Sequence, residues 1–151
     1  MKRRHFLMTV AAAFAAPMAR AEGFEVTLTE AEWRARLSAQ QYSVLRDADT
    51  EASGSSPLDH EFGAGTYFCA GCDLAVYSSE AKFDSGTGWP SFFAPLANAV
   101  GTRPDPGWLG DRTEVHCRRC GGHLGHVFDD GPQPTGKRYC MNGVALVFKA
   151  A

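Results

Sequence analysis

Cys69-Ala70-Gly71-Cys72 and Cys117-Arg118-Arg119-Cys120 are two Cys-x-x-Cys knuckles of equal spacing, each closing a strand-like run with glycine inside or beside the turn. A turn of this spacing brings two sulfurs to one ion. Two such turns make a tetrahedral four-thiolate zinc site with Zn–S distances of about 2.3 Å. Four sulfurs leave no position for water, so a zinc held by Cys69, Cys72, Cys117 and Cys120 is structural, one per chain. Two other chemistries use the same residue types: disulfides, which an oxidising compartment favours, and a redox-active Cys-x-x-Cys of thioredoxin type. Redox pairs come singly after a βαβ-type strand, and the matched pair here points to zinc.

The chain has five cysteines, so four ligands leave Cys140 over, in Gly136-Lys137-Arg138-Tyr139-Cys140-Met141-Asn142. A leftover thiol is either a small core hydrophobe or a nucleophile. On an extended strand Arg138 and Asn142 share the face of Cys140, and a guanidinium there favours the thiolate. His123 and His126 follow the second knuckle three residues apart. With zinc already holding four sulfurs, both are free for proton transfer or hydrogen bonding. Ser85-Gly86-Thr87-Gly88-Trp89-Pro90-Ser91-Phe92-Phe93 adds aromatic residues on a glycine-rich turn, where Trp89 and Phe92 read equally well as core.

Taken in order, GTYFCAGC, KFDSGTGWPSF, EVHCRRCGGHLGHVFDDGP and PTGKRYCMN resemble the motif series of the B-type methionine sulfoxide reductases, over roughly residues 29 to 148. The resemblance implies that Cys140 is the nucleophile and that Trp89 packs against the substrate's S-methyl group, with Phe128 and Asp130 also on the substrate side. It further implies that His123, His126 and Asn142 hold a water and supply a proton to the sulfoxide oxygen, supported by Arg138. The reaction implied is reduction of methionine-R-sulfoxide, free or in proteins, through a Cys140 sulfenic acid. The fold implied is two antiparallel sheets with the zinc away from the nucleophile. Two positions depart from the pattern. Thr87 stands where many members carry a resolving cysteine, so regeneration needs an outside thiol, small or thioredoxin-like. Gly143 stands where serine is common, and a modest effect on hydrogen bonding near the nucleophile is expected.

The elements that must position these residues are legible in outline. Thr29 with Glu32, and Ser38 with Gln41, are capping-box patterns that open two short helices, at about 30–37 and through Tyr42, Val44 and Leu45. Asp47 to Pro57 reads as a polar loop. From Gly65 onward, GTYFC, DLAVYS, RTEVHC, HLGHVF and GVALVF are short strands separated by Gly, Pro and Asp clusters. No long helical pattern lies between them, so the sheets are expected to be antiparallel and the fold class mainly β, preceded by short N-terminal helices.

Residues 1–21, MKRRHFLMTVAAAFAAPMARA, have a basic start, an apolar stretch and Ala19 and Ala21 in an A-x-A arrangement. This is the pattern of a cleavable signal peptide. Arg3 and Arg4 before Phe6-Leu7 resemble the twin-arginine signal, which exports proteins already folded and so able to load zinc beforehand; a simple secretory signal is the other reading. The apolar stretch is shorter than the roughly 20 residues of a bilayer span. An exported, periplasmic protein with no stable membrane association after cleavage is expected, with residues 22–151 as one domain and a monomer as the working state. Removing Lys2, Arg3, Arg4 and Arg20 takes the formal charge from −2 to −6, the wrong sign for a nucleic-acid binder. A function from another class also fits a zinc-stapled β scaffold: a non-catalytic module presenting Trp89 to a partner protein. Cys140, Arg138, Asn142 and the histidine pair are what such a module has no use for.

Overall fold

The computed structural model describes residues 23–107 and 110–151; the expected signal peptide at 1–21 lies outside the described residues. The two helices are α1, Glu30–Arg36, and α2, Ala39–Asp47, and both capping boxes form. In the first, the Thr29 amide donates to Glu32 Oε2 at 2.7 Å and the Glu32 amide to Thr29 Oγ1 at 3.3 Å. These two bonds satisfy amides that the first helical turn leaves without partners. The helices bury Trp33, Leu37, Tyr42, Val44 and Leu45 against the β portion. Among the described residues no helix is long and apolar enough to cross a membrane.

Among the described residues nine strands follow: β1 Gly65–Cys69, β2 Ala75–Ser78, β3 Lys82–Phe83, β4 Ser91–Phe92, β5 Val100–Gly107, β6 Gly110–Cys117, β7 His123–Phe128, β8 Arg138–Met141 and β9 Leu146–Ala150. They make two antiparallel sheets, one ordered β2-β1-β9 and the other β3-β4-β8-β7-β6-β5. The expected mainly β fold with two antiparallel sheets is the fold observed. GVALVF divides: Gly143–Ala145 forms a 3-10 turn, and only Leu146 onward is strand. β5, which has no alternating apolar pattern, carries Pro104 and Pro106, and it is an edge strand. There a proline's missing N–H costs no ladder bond when it would have faced outward.

The core lies between the sheets. Tyr77 stacks on Phe92 at 4.3 Å between centroids, Tyr67 meets Phe92 edge-on at 5.0 Å, and the Tyr77 hydroxyl donates to Met141 Sδ at 3.2 Å. Phe92 and Met141 are fully buried, each contributing about 1.5–3 kcal/mol by removal from water. Met141 inward means Cys140 outward, since neighbours on a strand point to opposite faces. This packing therefore aims the thiol at the open face of the larger sheet.

Candidate active site and metal centre

Register places the chemistry. Ser91 of β4 pairs with Cys140 of β8, Cys140 with His126 of β7, His126 with Glu114 of β6, and Glu114 with Arg103 of β5. Directly opposed residues of an antiparallel ladder share a face, so these five form one row across five strands. The adjoining row holds Arg138 opposite Phe128, and Asp105 opposite Arg112. Gly125 lies between His126 and the second knuckle because only glycine fits: a Cβ there would stand 2.1 Å from the Cys140 carbonyl oxygen.

The thiol opens onto a cavity of about 130 Å³ whose lining includes Thr50, Trp89, Arg112, His126, Phe128, Cys140 and Asn142. Burial pushes the Cys140 thiol above its ordinary value, and the Arg138 guanidinium and the Thr87 and Ser91 hydroxyls only partly oppose that rise. The expectation that Arg138 favours the thiolate has the right sign, but burial outweighs it and the resting group is a thiol. Arg138 lies over the Phe128 ring at 4.5 Å and is held by Asp130 through two 2.9 Å bonds. That bond pair with Arg138 holds the exposed Asp130 carboxyl below the usual carboxylate range. Asp130 does not itself line the cavity.

The two histidines sit differently. His126 lines the cavity, and its Nε2 lies 2.7 Å from Asp105 Oδ2. His123 is buried behind it with ring centroids 5.2 Å apart, its Nδ1 2.8 Å from Glu114 Oε1, and it does not reach the cavity wall. Burial holds the His123 imidazole below its ordinary value despite the Glu114 carboxylate, so it is neutral at pH 7. Asn142 spends its amide within the protein: Oδ1 accepts from the Glu51 amide at 2.9 Å and Nδ2 donates to the Leu124 carbonyl at 3.2 Å.

Glu51 is a site residue that sequence reasoning passed over. Its carbonyl accepts from Trp89 Nε1 at 3.1 Å, and its buried carboxylate accepts from the Gly143 and Val144 amides at 2.7 and 2.9 Å. One residue of the polar loop thus holds the indole, Asn142 and the chain just after Cys140. The loop also explains Gly143. A Cβ there would stand 2.0 Å from Ser56 Oγ and 2.4 Å from Ser56 Cβ, so Ser56 occupies the space a side chain would need. Asp105, Arg112 and Glu114 were passed over as well. Their signal was faint: charged residues alternating along β5 and β6, on what proves to be one face.

The four knuckle sulfurs lie within 4.8 Å of one another, with Cys69 to Cys120 at 3.7 Å and Cys72 to Cys117 at 3.5 Å. Ligands at about 2.3 Å around a tetrahedral ion stand about 3.8 Å apart, whereas a disulfide needs about 2.05 Å. The spacing suits a metal. The backbone turns match too: the Asp73 amide donates to the Cys69 carbonyl and the Gly121 amide to the Cys117 carbonyl, both at 2.8 Å, with Asp73 and Gly121 left-handed. The cluster joins β1 of one sheet to β6 of the other, and none of its cysteines lines the Cys140 cavity.

Residues 37–150 match the SelR domain family. The chain is 51% identical over 123 residues to the peptide methionine sulfoxide reductase MsrB of Bradyrhizobium diazoefficiens, covering 81% of this chain and 88% of that protein. It is 43% identical over 127 residues to the protein of the same name from Leptospira interrogans, covering 83% and 97%. Against the chloroplastic peptide methionine sulfoxide reductase B1 of Arabidopsis thaliana it is 46% identical over 125 residues, covering 82% of this chain and 62% of the other. With the two-sheet fold, the paired knuckles and the row through Cys140, these likenesses establish that the chain belongs to the SelR-domain family of B-type methionine sulfoxide reductases.

Proposed function

We propose that the protein reduces methionine-R-sulfoxide, free or in proteins, to methionine, with Cys140 as the nucleophile. The observation that carries this is the placement of Cys140 directly opposite His126 in a cavity walled by Trp89 and Phe128, the four other cysteines being gathered elsewhere. The sulfoxide sulfur is a poor electrophile until its oxygen is protonated or strongly hydrogen-bonded. His126 relays that proton, its free ring nitrogen taking it from the Cys140 thiol and passing it to the sulfoxide oxygen, and Asn142 keeps the adjoining backbone in place. The Cys140 thiol, raised by burial, gives up its proton as the sulfoxide oxygen gains one. The S–O bond of the substrate breaks and the oxygen passes to Cys140 sulfur, leaving methionine and a sulfenic acid, so that the cysteine is oxidised by the two electrons that the methionine sulfur gains. One outside thiol then displaces water to give a mixed disulfide at Cys140, and a second attacks the outside sulfur of that disulfide, forming an external disulfide and returning Cys140 as the thiol.

Trp89 and Phe128 form the apolar wall for the methyl group, Arg138 is anchored by Asp130, and His123 backs His126. A fixed wall beside a fixed donor accepts one configuration at sulfur. The four-cysteine cluster suits a structural zinc, whose binding energy is folding energy. A small thiol or a thioredoxin-like protein serves as reductant. The leader-like residues 1–21 support an exported, periplasmic protein, and cell fractionation tests that. Assay of the purified mature protein with each sulfoxide epimer tests the function. Turnover of the R epimer alone is expected. Turnover of neither would favour a zinc-stapled binding module.

A further inference from the structure

Resting on the reading of His126 as the group that relays a proton to the substrate, the carboxylates that meet the two histidines bear on which ring nitrogen acts. Arg103 and Asp105 alternate on β5, Arg112 and Glu114 on β6, and the four pair crosswise, Arg103 with Glu114 and Arg112 with Asp105. Each carboxylate then reaches one histidine of β7, but at opposite ring positions. Glu114 Oε1 lies 2.8 Å from His123 Nδ1, whereas Asp105 Oδ2 lies 2.7 Å from His126 Nε2 and 3.0 Å from Arg112 Nη2.

A carboxylate that stays ionised can only accept hydrogen bonds, so the ring nitrogen facing it must carry the hydrogen. Both are ionised at neutral pH: His126, before Arg112, holds Asp105 below the usual carboxylate range. Burial raises Glu114, but Arg103 and His123 together outweigh it and leave the group lowered. A neutral imidazole has one hydrogen, and the nitrogen that keeps it decides which one is left to react.

We propose that the β5–β6 ribbon locks the two histidines in opposite tautomers, His123 with hydrogen on Nδ1 and His126 with hydrogen on Nε2, so that Asp105 is a positioning residue that leaves His126 Nδ1 as the atom exchanging a proton with substrate. His123 Nε2 is buried and meets no hydrogen-bond partner among the described residues, and His123 does not line the cavity. The division of labour between the histidines follows from which carboxylate each one meets.

The test is long-range ¹H–¹⁵N correlation of the histidine rings in the intact, zinc-loaded protein, at a pH above the ordinary histidine range. His123 should show a protonated Nδ1 and a bare Nε2, and His126 the reverse. The same tautomer in both rings would overturn the proposal, and this measurement needs no variant. Asp105→Asn offers His126 an amide that can turn either its oxygen or its NH₂ to Nε2. The His126 pattern should lose its single Nε2–H form, that of His123 should persist, and kcat should fall on the order of 10²–10⁴-fold, with KM little changed. An Asp105→Asn protein that folds with the His126 pattern and kcat of the parent would sink the positioning role. If the tautomers are as assigned but neither epimer is turned over, the proton-exchange role falls with the functional reading, while the tautomer pair stands.

Discussion

Cys140 and His126 occupy directly opposed positions of the β7–β8 ladder, so the sulfur and the imidazole are held in relation by sheet register alone. Trp89 lies on the glycine-rich turn instead, where its indole donates to the Glu51 carbonyl and its own carbonyl accepts from the Ser91 hydroxyl at 3.0 Å. Cys140 and His126 are thus built into the sheet, and Trp89 is fastened to it by the loop before β1.

Burial keeps the thiol protonated at rest, which sets the pH dependence of its reactivity. A thiol raised above its ordinary value of 9.0 gains thiolate as the pH rises and is not fully ionised at pH 9. Alkylation of Cys140 by iodoacetamide should therefore be slow at pH 7 and still climbing above pH 9. Arg138→Met removes a cation that favours the thiolate, so it should move the curve further up and slow alkylation at pH 7. A rate that levels off below pH 8 would contradict this account.

Cys140→Ser keeps the size of the side chain and removes the thiol proposed as nucleophile. Reduction of the R epimer should fall below detection, while metal content and thermal unfolding stay those of the parent, since the thiol is no part of the cluster. Retained activity would move the chemistry away from this residue.

Metal removal should act on the whole fold. The four cysteines clamp β1 of one sheet to β6 of the other. The binding energy of structural zinc in zinc-finger peptides, about 10–16 kcal/mol, is at least comparable with the roughly 5–15 kcal/mol that holds an ordinary domain together. One zinc per chain is expected by metal analysis, and Cys69→Ser should cost the cooperative unfolding transition, not merely lower its midpoint. Freshly purified, active protein without zinc would refute this.

Glu51→Gln keeps the shape of the side chain but turns an NH₂ group toward one of two backbone amides that need an acceptor. The unmade buried bond should cost about 1–3 kcal/mol, read as a lower midpoint in denaturant. The indole and Asn142 are held by the same residue, so KM for the sulfoxide should also rise. Parent stability and KM in this variant would remove Glu51 from the site.

How much of this was legible depends on the range of the constraint. The knuckles are local, and four residues contain the turn that the metal needs. The capping boxes of Thr29 and Ser38 are local too. Cys140 and His126 are 14 positions apart, and their opposition exists only once β7 and β8 pair in one register. Asp105 lay in Thr102-Arg103-Pro104-Asp105-Pro106, where two prolines argue against a strand unless it is known to be an edge. Glu51 sat in a polar stretch without periodicity, and its role comes from four contacts distant in sequence. The family motifs supplied the identity of the site, whereas the carboxylates that orient the histidines came only with the fold.

Thr87 bears on how Cys140 would be reset in the proposed cycle. Its hydroxyl lies 4.0 Å from Cys140 Sγ, close enough for a hydrogen bond but unable to form a disulfide. The other cysteines lie together in the four-cysteine cluster and none lines the cavity, so a sulfenic acid on Cys140 has no internal thiol within reach and should persist until an outside thiol arrives. One turnover without reductant should leave a Cys140 adduct with a sulfenic-acid reagent, and no internal disulfide by mass spectrometry. A small thiol or a thioredoxin-like protein should restore activity through a mixed disulfide at Cys140. Thr87→Cys puts sulfur where the hydroxyl now is, and a disulfide to Cys140 should follow if the two Cα atoms lie within the bridging range of about 4.4–6.8 Å. The sulfenic-acid adduct should then vanish and reductants that attack disulfides should become sufficient. Zinc release during turnover of the parent, together with a disulfide from Cys140 to Cys69, Cys72, Cys117 or Cys120, would overturn the external-thiol cycle and make the metal centre part of the redox chemistry.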